Sequence, residues 1–79
     1  MRKVYVEVNA DHSADGKVIP NYFVWEDGHR YEIDRIIDVR RAASLKAGGI
    51  GVRYTVNVSG KQAYMWLEDG GCRWFMEAK

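Results

Sequence analysis

Apolar and polar residues alternate with period two through most of the chain, which is the pattern of half-buried β-strands. The clearest run is Val52 to Val58, where Val52, Tyr54, Val56 and Val58 alternate with Arg53, Thr55 and Asn57. Lys3 to Val8 repeats it, with Val4, Val6 and Val8 on one side and Tyr5 and Glu7 on the other. Phe23 to Ile37 reads as two strands folded back on each other at Asp27-Gly28. A two-residue turn there would set Trp25 opposite Arg30 and Phe23 opposite Glu32, aromatics beside charges. A three-residue loop, Glu26-Asp27-Gly28, sets Trp25 opposite His29 and Phe23 opposite Tyr31. Phe23, Trp25, Tyr31 and Ile33 then share a face that can be buried, and Val24, Arg30, Glu32 and Asp34 take the other. The spacing predicts a bulged hairpin with Gly28 at positive φ, a conformation that glycine adopts without steric cost.

The same parity argument sets the register further on. A turn at Ser59-Gly60 places Val56 opposite Ala63, Tyr54 opposite Met65 and Val52 opposite Leu67, all apolar. A turn at Gly70-Gly71 extends that face by setting Leu67 opposite Trp74 and Met65 opposite Met76. Asn9 to Ile19 is polar and turn-rich and reads as a long surface loop or an irregular hairpin tip around Asp15-Gly16. Pro20 cannot donate to a ladder and belongs at a strand start or an edge. The second strand of the central hairpin runs on through Ile36 and Ile37 toward Val39. Asp38 to Gly51 departs from the alternation: Asp38 suits a helix cap, Ala42, Ala43, Leu45 and Ala47 are helix formers, and Gly48 suits a terminus. Arg40 and Arg41 would oppose the dipole of such a helix, so the expectation is a short helical turn in a loop. About six short antiparallel strands follow, in one domain over residues 1–79. A flat sheet of this size would leave its apolar face in water, so it must curl. The predicted fold is all-β, a small bent barrel of the SH3-like kind, with an OB-like barrel as the alternative.

Seventy-nine residues leave no room for a second core. The single cysteine, Cys72, forms no internal disulfide, and no apolar run is long enough to cross a bilayer as a helix. With no signal-peptide pattern at the start, the expectation is a cytosolic protein without a membrane partner. The formal net charge is +1, yet no Asp or Glu occurs between Val39 and Leu67, where Arg40, Arg41, Lys46, Arg53 and Lys61 all fall. Glu7 to Asp38 leans acidic, so the two stretches are expected to neutralise each other on folding.

Candidate chemistry is sparse. Asp11, Ser13, Asp15 and Gly16 match the first half of a calcium loop, but its twelfth position is Tyr22 where a bidentate Glu is needed. His12, His29 and Cys72 are not at metal-ligand spacing, and no nucleophile, base and orienter come together along the chain. Glu32/Asp34 and Glu68/Asp69 read as solvated strand and turn positions, and the glycine string at 48–51 lacks the context of a phosphate loop. The expectation is a non-enzyme with no catalytic residue, metal or cofactor.

The parity that builds a core turns Tyr5, Tyr22, Tyr64, Trp66 and Phe75 outward, with Arg53 and Arg73 on the same side. Arg40, Arg41, Lys46, Arg53, Tyr64, Trp66, Arg73 and Phe75 are therefore the candidate interaction surface. Used by a protein partner or by a second copy, it makes the chain a small interaction or structural module. Used for nucleic acid, the arginines would meet phosphates and the aromatics would stack on bases. Near-neutral charge weighs against the second use, because that affinity rests on neutralising phosphates.

The strings WEDGHRYEIDR, AASLKAGG, RYTV and RWF resemble those of small uncharacterised proteins carried by mobile elements of Gram-positive bacteria. The similarity spans the central hairpin through the C-terminus. It implies a bacterial, cytosolic, single-domain protein, and it carries no activity, cofactor or site residue over to this chain.

Overall fold

A computed structural model describes residues 2–43, 50–70 and 73–78. Seven strands form: β1 (Arg2–His12), β2 (Val18–Val24), β3 (Arg30–Glu32), β4 (Arg35–Ala43), β5 (Ile50–Val58), β6 (Lys61–Glu68) and β7 (Trp74–Ala78). All pair antiparallel in the order β3-β2-β1-β7-β6-β5-β4. Apart from β3 and β4, which form the two ends of the sheet, every strand lies beside its neighbours in sequence, and β7 returns to β1. The connections β1–β2–β3 and β4–β5–β6–β7 are meanders.

Two long strands curl the sheet. β1 pairs with β7 through Arg2 to Val6 and with β2 through Glu7 to His12, so it changes partner halfway along. β3 and β4 are separated only by Ile33 and Asp34. The Ile33 N–H donates to the Asn21 carbonyl in β2 (2.9 Å), and the next N–H, of Asp34, donates to the Asn57 carbonyl in β5 (2.9 Å). The chain thus bends from one end of the sheet to the other at Ile33 and Asp34, and the fold is all-β, a single sheet curled into a half-barrel.

The apolar parity face fills the concave side. Phe23, Tyr54, Val56, Met65, Leu67, Trp74 and Met76 form the buried cluster, with Val6, Val8, Val18 and Trp25 packed against it. Phe23 stacks on Tyr31 across the hairpin at 5.3 Å. The three-residue loop has the expected register, with the Trp25 N–H donating to the His29 carbonyl and Gly28 at φ +86°. The Tyr54 hydroxyl crosses the interior to the Val18 carbonyl at 2.7 Å, tying β5 to β2 where no ladder joins them. All the pairs expected through Ser59-Gly60 are present, and Leu67 faces Trp74.

Three expectations change. Asn9 to His12 and Val18 to Ile19 belong to strands, and only the tip at Ser13 to Lys17 turns. Polar side chains hold this arm: Asn21, the extra residue where the register shifts, donates to Asn9 (3.1 Å) and Asp11 (3.2 Å). Pro20 sits within β2 beside that bulge, where a missing donor is tolerated. Asp38 to Ala43 is strand rather than helical turn, because its backbone pairs along β5 from Thr55 to Ile50. Ladder pairing outweighs the helix propensity of alanine here. The rest of the expected turn, Ser44 to Gly49, lies outside the described residues, as does Cys72.

Candidate interaction surface

On the convex side of β5, β6, β7 and β1, alternation places Arg53, Thr55, Tyr64, Trp66, Phe75 and Tyr5. Trp66 and Phe75 lie opposite each other with rings parallel to within 3° and centroids 5.3 Å apart. They are 3 % and 0 % exposed. The pair is a second small core on the outer face and offers no surface, which corrects its place in the expected interaction surface.

Long side chains contribute to that cover. Lys3 Nζ lies 4.6 Å from the Phe75 ring centroid. The Arg73 guanidinium sits 3.7 Å over Tyr5, and that of Arg53 sits 4.9 Å over Tyr64. Glu68 anchors the group, accepting from the Tyr5 hydroxyl (2.9 Å) and Arg73 Nε (3.3 Å), with Lys3 Nζ at 3.7 Å. The Tyr5 bond first, then Arg73 and Lys3, hold the Glu68 carboxyl below its ordinary range against the opposing effect of burial. A cation over a ring face is a cation–π contact, and these side chains cover apolar area as they make it. The indole Nε1 of Trp66 is buried without a hydrogen-bond partner among the described residues.

The remaining candidates divide. Tyr64 is exposed, and Tyr5 shares that property although its face is taken by Arg73. Arg40 pairs with Asp38 two residues back on β4 (2.7 Å), a contact that lowers the Asp38 carboxyl and raises the guanidinium. Arg41 forms a fork on Asp69 in the β6–β7 turn, with bonds of 2.8 and 2.7 Å, and Asp69 is lowered accordingly. Lys46 lies outside the described residues. Of the basic stretch, Arg40 and Arg41 are thus paired with carboxylates that bound it, Asp38 from the acidic stretch and Asp69 from the β6–β7 turn.

Two features were not visible in the alternation. The first is an open groove of about 480 Å³ beside β1, lined by Val8, Ala10, Val18, Leu67 and Trp74 among others. His12, Glu7 and Arg73 stand at its margin. The second is the free edge of β4, whose outer side pairs with no described strand. Ile37, the extra residue at a bulge, and Val39 are exposed on it, Val39 to 49 %, and Ile50, exposed to 50 %, lies on β5 opposite Ala43 at the far end of the β4 ladder. Exposed aliphatics on an unpaired edge are a recognised template for association.

Among the described residues no group of three or more His, Cys, Asp or Glu could hold a metal ion, and no helix is long and apolar enough to cross a membrane. The half calcium motif is the β1–β2 tip, where the Ser13 hydroxyl bonds Asp15 and accepts from the Lys17 N–H. His29 packs on Tyr31 at 4.5 Å. No family model matches the chain, and neither a curated protein nor a solved structure matches it.

Proposed function

We propose that this chain is a small protein-interaction module that associates with itself through the β4 side of the barrel, with no catalytic role. The observation that carries the reading is the exposure of Ile37 and Val39 on an unpaired strand. A barrel of this size has little apolar area to spare for the surface, and covering these side chains would add to a modest core. The meander connectivity supports an SH3-like description of the scaffold. The single cysteine and the resemblance to proteins of bacterial mobile elements support a cytosolic setting.

The test is sedimentation velocity from low micromolar to near-millimolar protein. The expected result is a mass that rises from the 9.1 kDa of one chain toward twice that value. A constant 9.1 kDa across the range overturns the self-association.

A further inference from the structure

The sequence of β4 is complementary to itself, and this selects one geometry for the association proposed above, on which the inference rests. We infer that two copies join edge to edge along β4, antiparallel about a two-fold axis at Val39. From Asp38 onward β4 is regular, with Asp38 beside Thr55, Val39 beside Tyr54 and Arg40 beside Arg53. Asp38 and Arg40 therefore share the convex face, and Val39 and Arg41 the concave one. An antiparallel copy that continues both faces must set residues of equal parity opposite each other.

Few such registers exist, and charge separates them. Centred on Asp38, the pairing sets Asp38 against Asp38. A centre at Arg40 or at Arg41 sets that arginine against itself. Only the Val39 centre sets Asp38 against Arg40 of the second copy, twice by symmetry, with Val39 against Val39 between them. Like charges directly opposite are destabilising and opposite charges favourable across a ladder, so the pattern admits one pairing and rejects its neighbours. Flipping one face to set Asp38 against Arg41 would have to break the Arg41–Asp69 fork. Exchanging the Asp38–Arg40 pair within each chain for two such pairs between chains breaks no other contact. The bulge at Ile37 bends the strand and limits the shared ladder to its centre, which makes the contact selective instead of an open template. A two-fold contact closes on itself and stops at the dimer.

The charge pattern supplies its own test. Asp38→Arg gives a chain with two cations at the contact, and Arg40→Asp gives one with two carboxylates. Each alone should self-associate about tenfold or more weakly than the wild type, since two attractive cross-strand pairs become repulsive. An equimolar mixture of the two should regain the wild-type dimer, which a variant damaged in its fold could not do. Val39→Lys, which meets itself at the axis, should be monomeric in the same concentration range. Sedimentation of the wild type, each variant and the mixture reads all four arms. A wild-type dimer that survives every substitution overturns the β4 geometry and leaves self-association standing. A wild type that stays at 9.1 kDa removes both.

Discussion

Trp66→Ala separates a core role for the outer aromatic pair from an interface role. Trp66 is almost fully enclosed and stacked in parallel on Phe75, which is fully enclosed. Removing a buried Trp costs about 3–5 kcal/mol, part of it for the cavity left above Phe75. At roughly 0.05–0.15 kcal/mol per residue, a domain of this length has about 4–12 kcal/mol in total, so the variant should lose much of its folded population. Trp66→Phe sharpens the test. It keeps the ring stack and deletes the buried indole N–H that has no partner among the described residues. An unpartnered buried donor carries a penalty of about 1–3 kcal/mol, so its removal offsets lost area and the net change should stay within about 1 kcal/mol. Urea unfolding followed by far-ultraviolet circular dichroism gives both values, and sedimentation gives the mass. A Trp66→Ala protein that loses under about 1 kcal/mol but changes its state of association would refute the core assignment, because that is how an exposed anchor behaves.

Two further substitutions probe the barrel. Tyr54→Phe removes the hydroxyl that ties β5 to β2 and leaves the Val18 carbonyl short of a donor, at an expected cost of about 1–2 kcal/mol in urea unfolding at neutral pH. Burial raises the Tyr54 pKa above its ordinary 10, so the stability it contributes is complete below that pH and is lost as pH rises through the folded value; the gap between wild type and Tyr54→Phe should therefore narrow in alkaline titrations, and a constant gap would count against the buried hydroxyl. Gly51→Ala drives a Cβ into the Leu67 carbonyl oxygen, which the backbones of β5 and β6 can accommodate only by separating. Its expected cost is about 1–3 kcal/mol or more, read as a fall in the urea midpoint, and a midpoint equal to wild type would refute that close approach.

Strand registers were legible because each predicted pairing had one apolar and one polar face, and a slip by one residue would have buried charge. That holds for Phe23 against Tyr31, Tyr54 against Met65 and Leu67 against Trp74. Where a strand is polar on both faces the signal fails. Asn9 to His12 has no alternation to show, and side-chain amide bonds from Asn21 support it instead. Asp38 to Ala43 carries helix formers on an edge strand with little core to enforce a period, so propensity and ladder pointed in different directions. For the outer aromatics, alternation gives the direction of a side chain and not its cover. Trp66 and Phe75 do point away from the main core, and that direction alone did not reveal the long side chains that help to bury them. The arginines were read correctly as a cluster in sequence, but their pairing with Asp38 and Asp69 depends on β4 being a strand and on where the β6–β7 turn falls.

The competing use of this surface, holding single-stranded nucleic acid, makes a prediction of its own. Such binding needs open π-faces for bases and cations free to displace counterions from phosphates. Trp66 and Phe75 are closed to a base, and the Tyr5 face is occupied by Arg73. Arg40 and Arg41 each hold a carboxylate at 2.7 Å, and Arg73 holds Glu68, so a phosphate would have to displace an anion already in place. These ion pairs are exposed and individually weak, which leaves the arginines able to exchange partners in dilute salt. The expected outcome of titrating labelled single-stranded and duplex DNA and RNA is therefore weak association at low salt that vanishes at moderate salt, with no preference among strands. Submicromolar binding to single strands that falls steeply with salt would refute this, because it would require several cations to leave their carboxylates at once. Trp66→Phe would then locate the ligand: unchanged affinity would put the strand over Tyr64 and Arg53, and lost affinity would mean that the outer core opens.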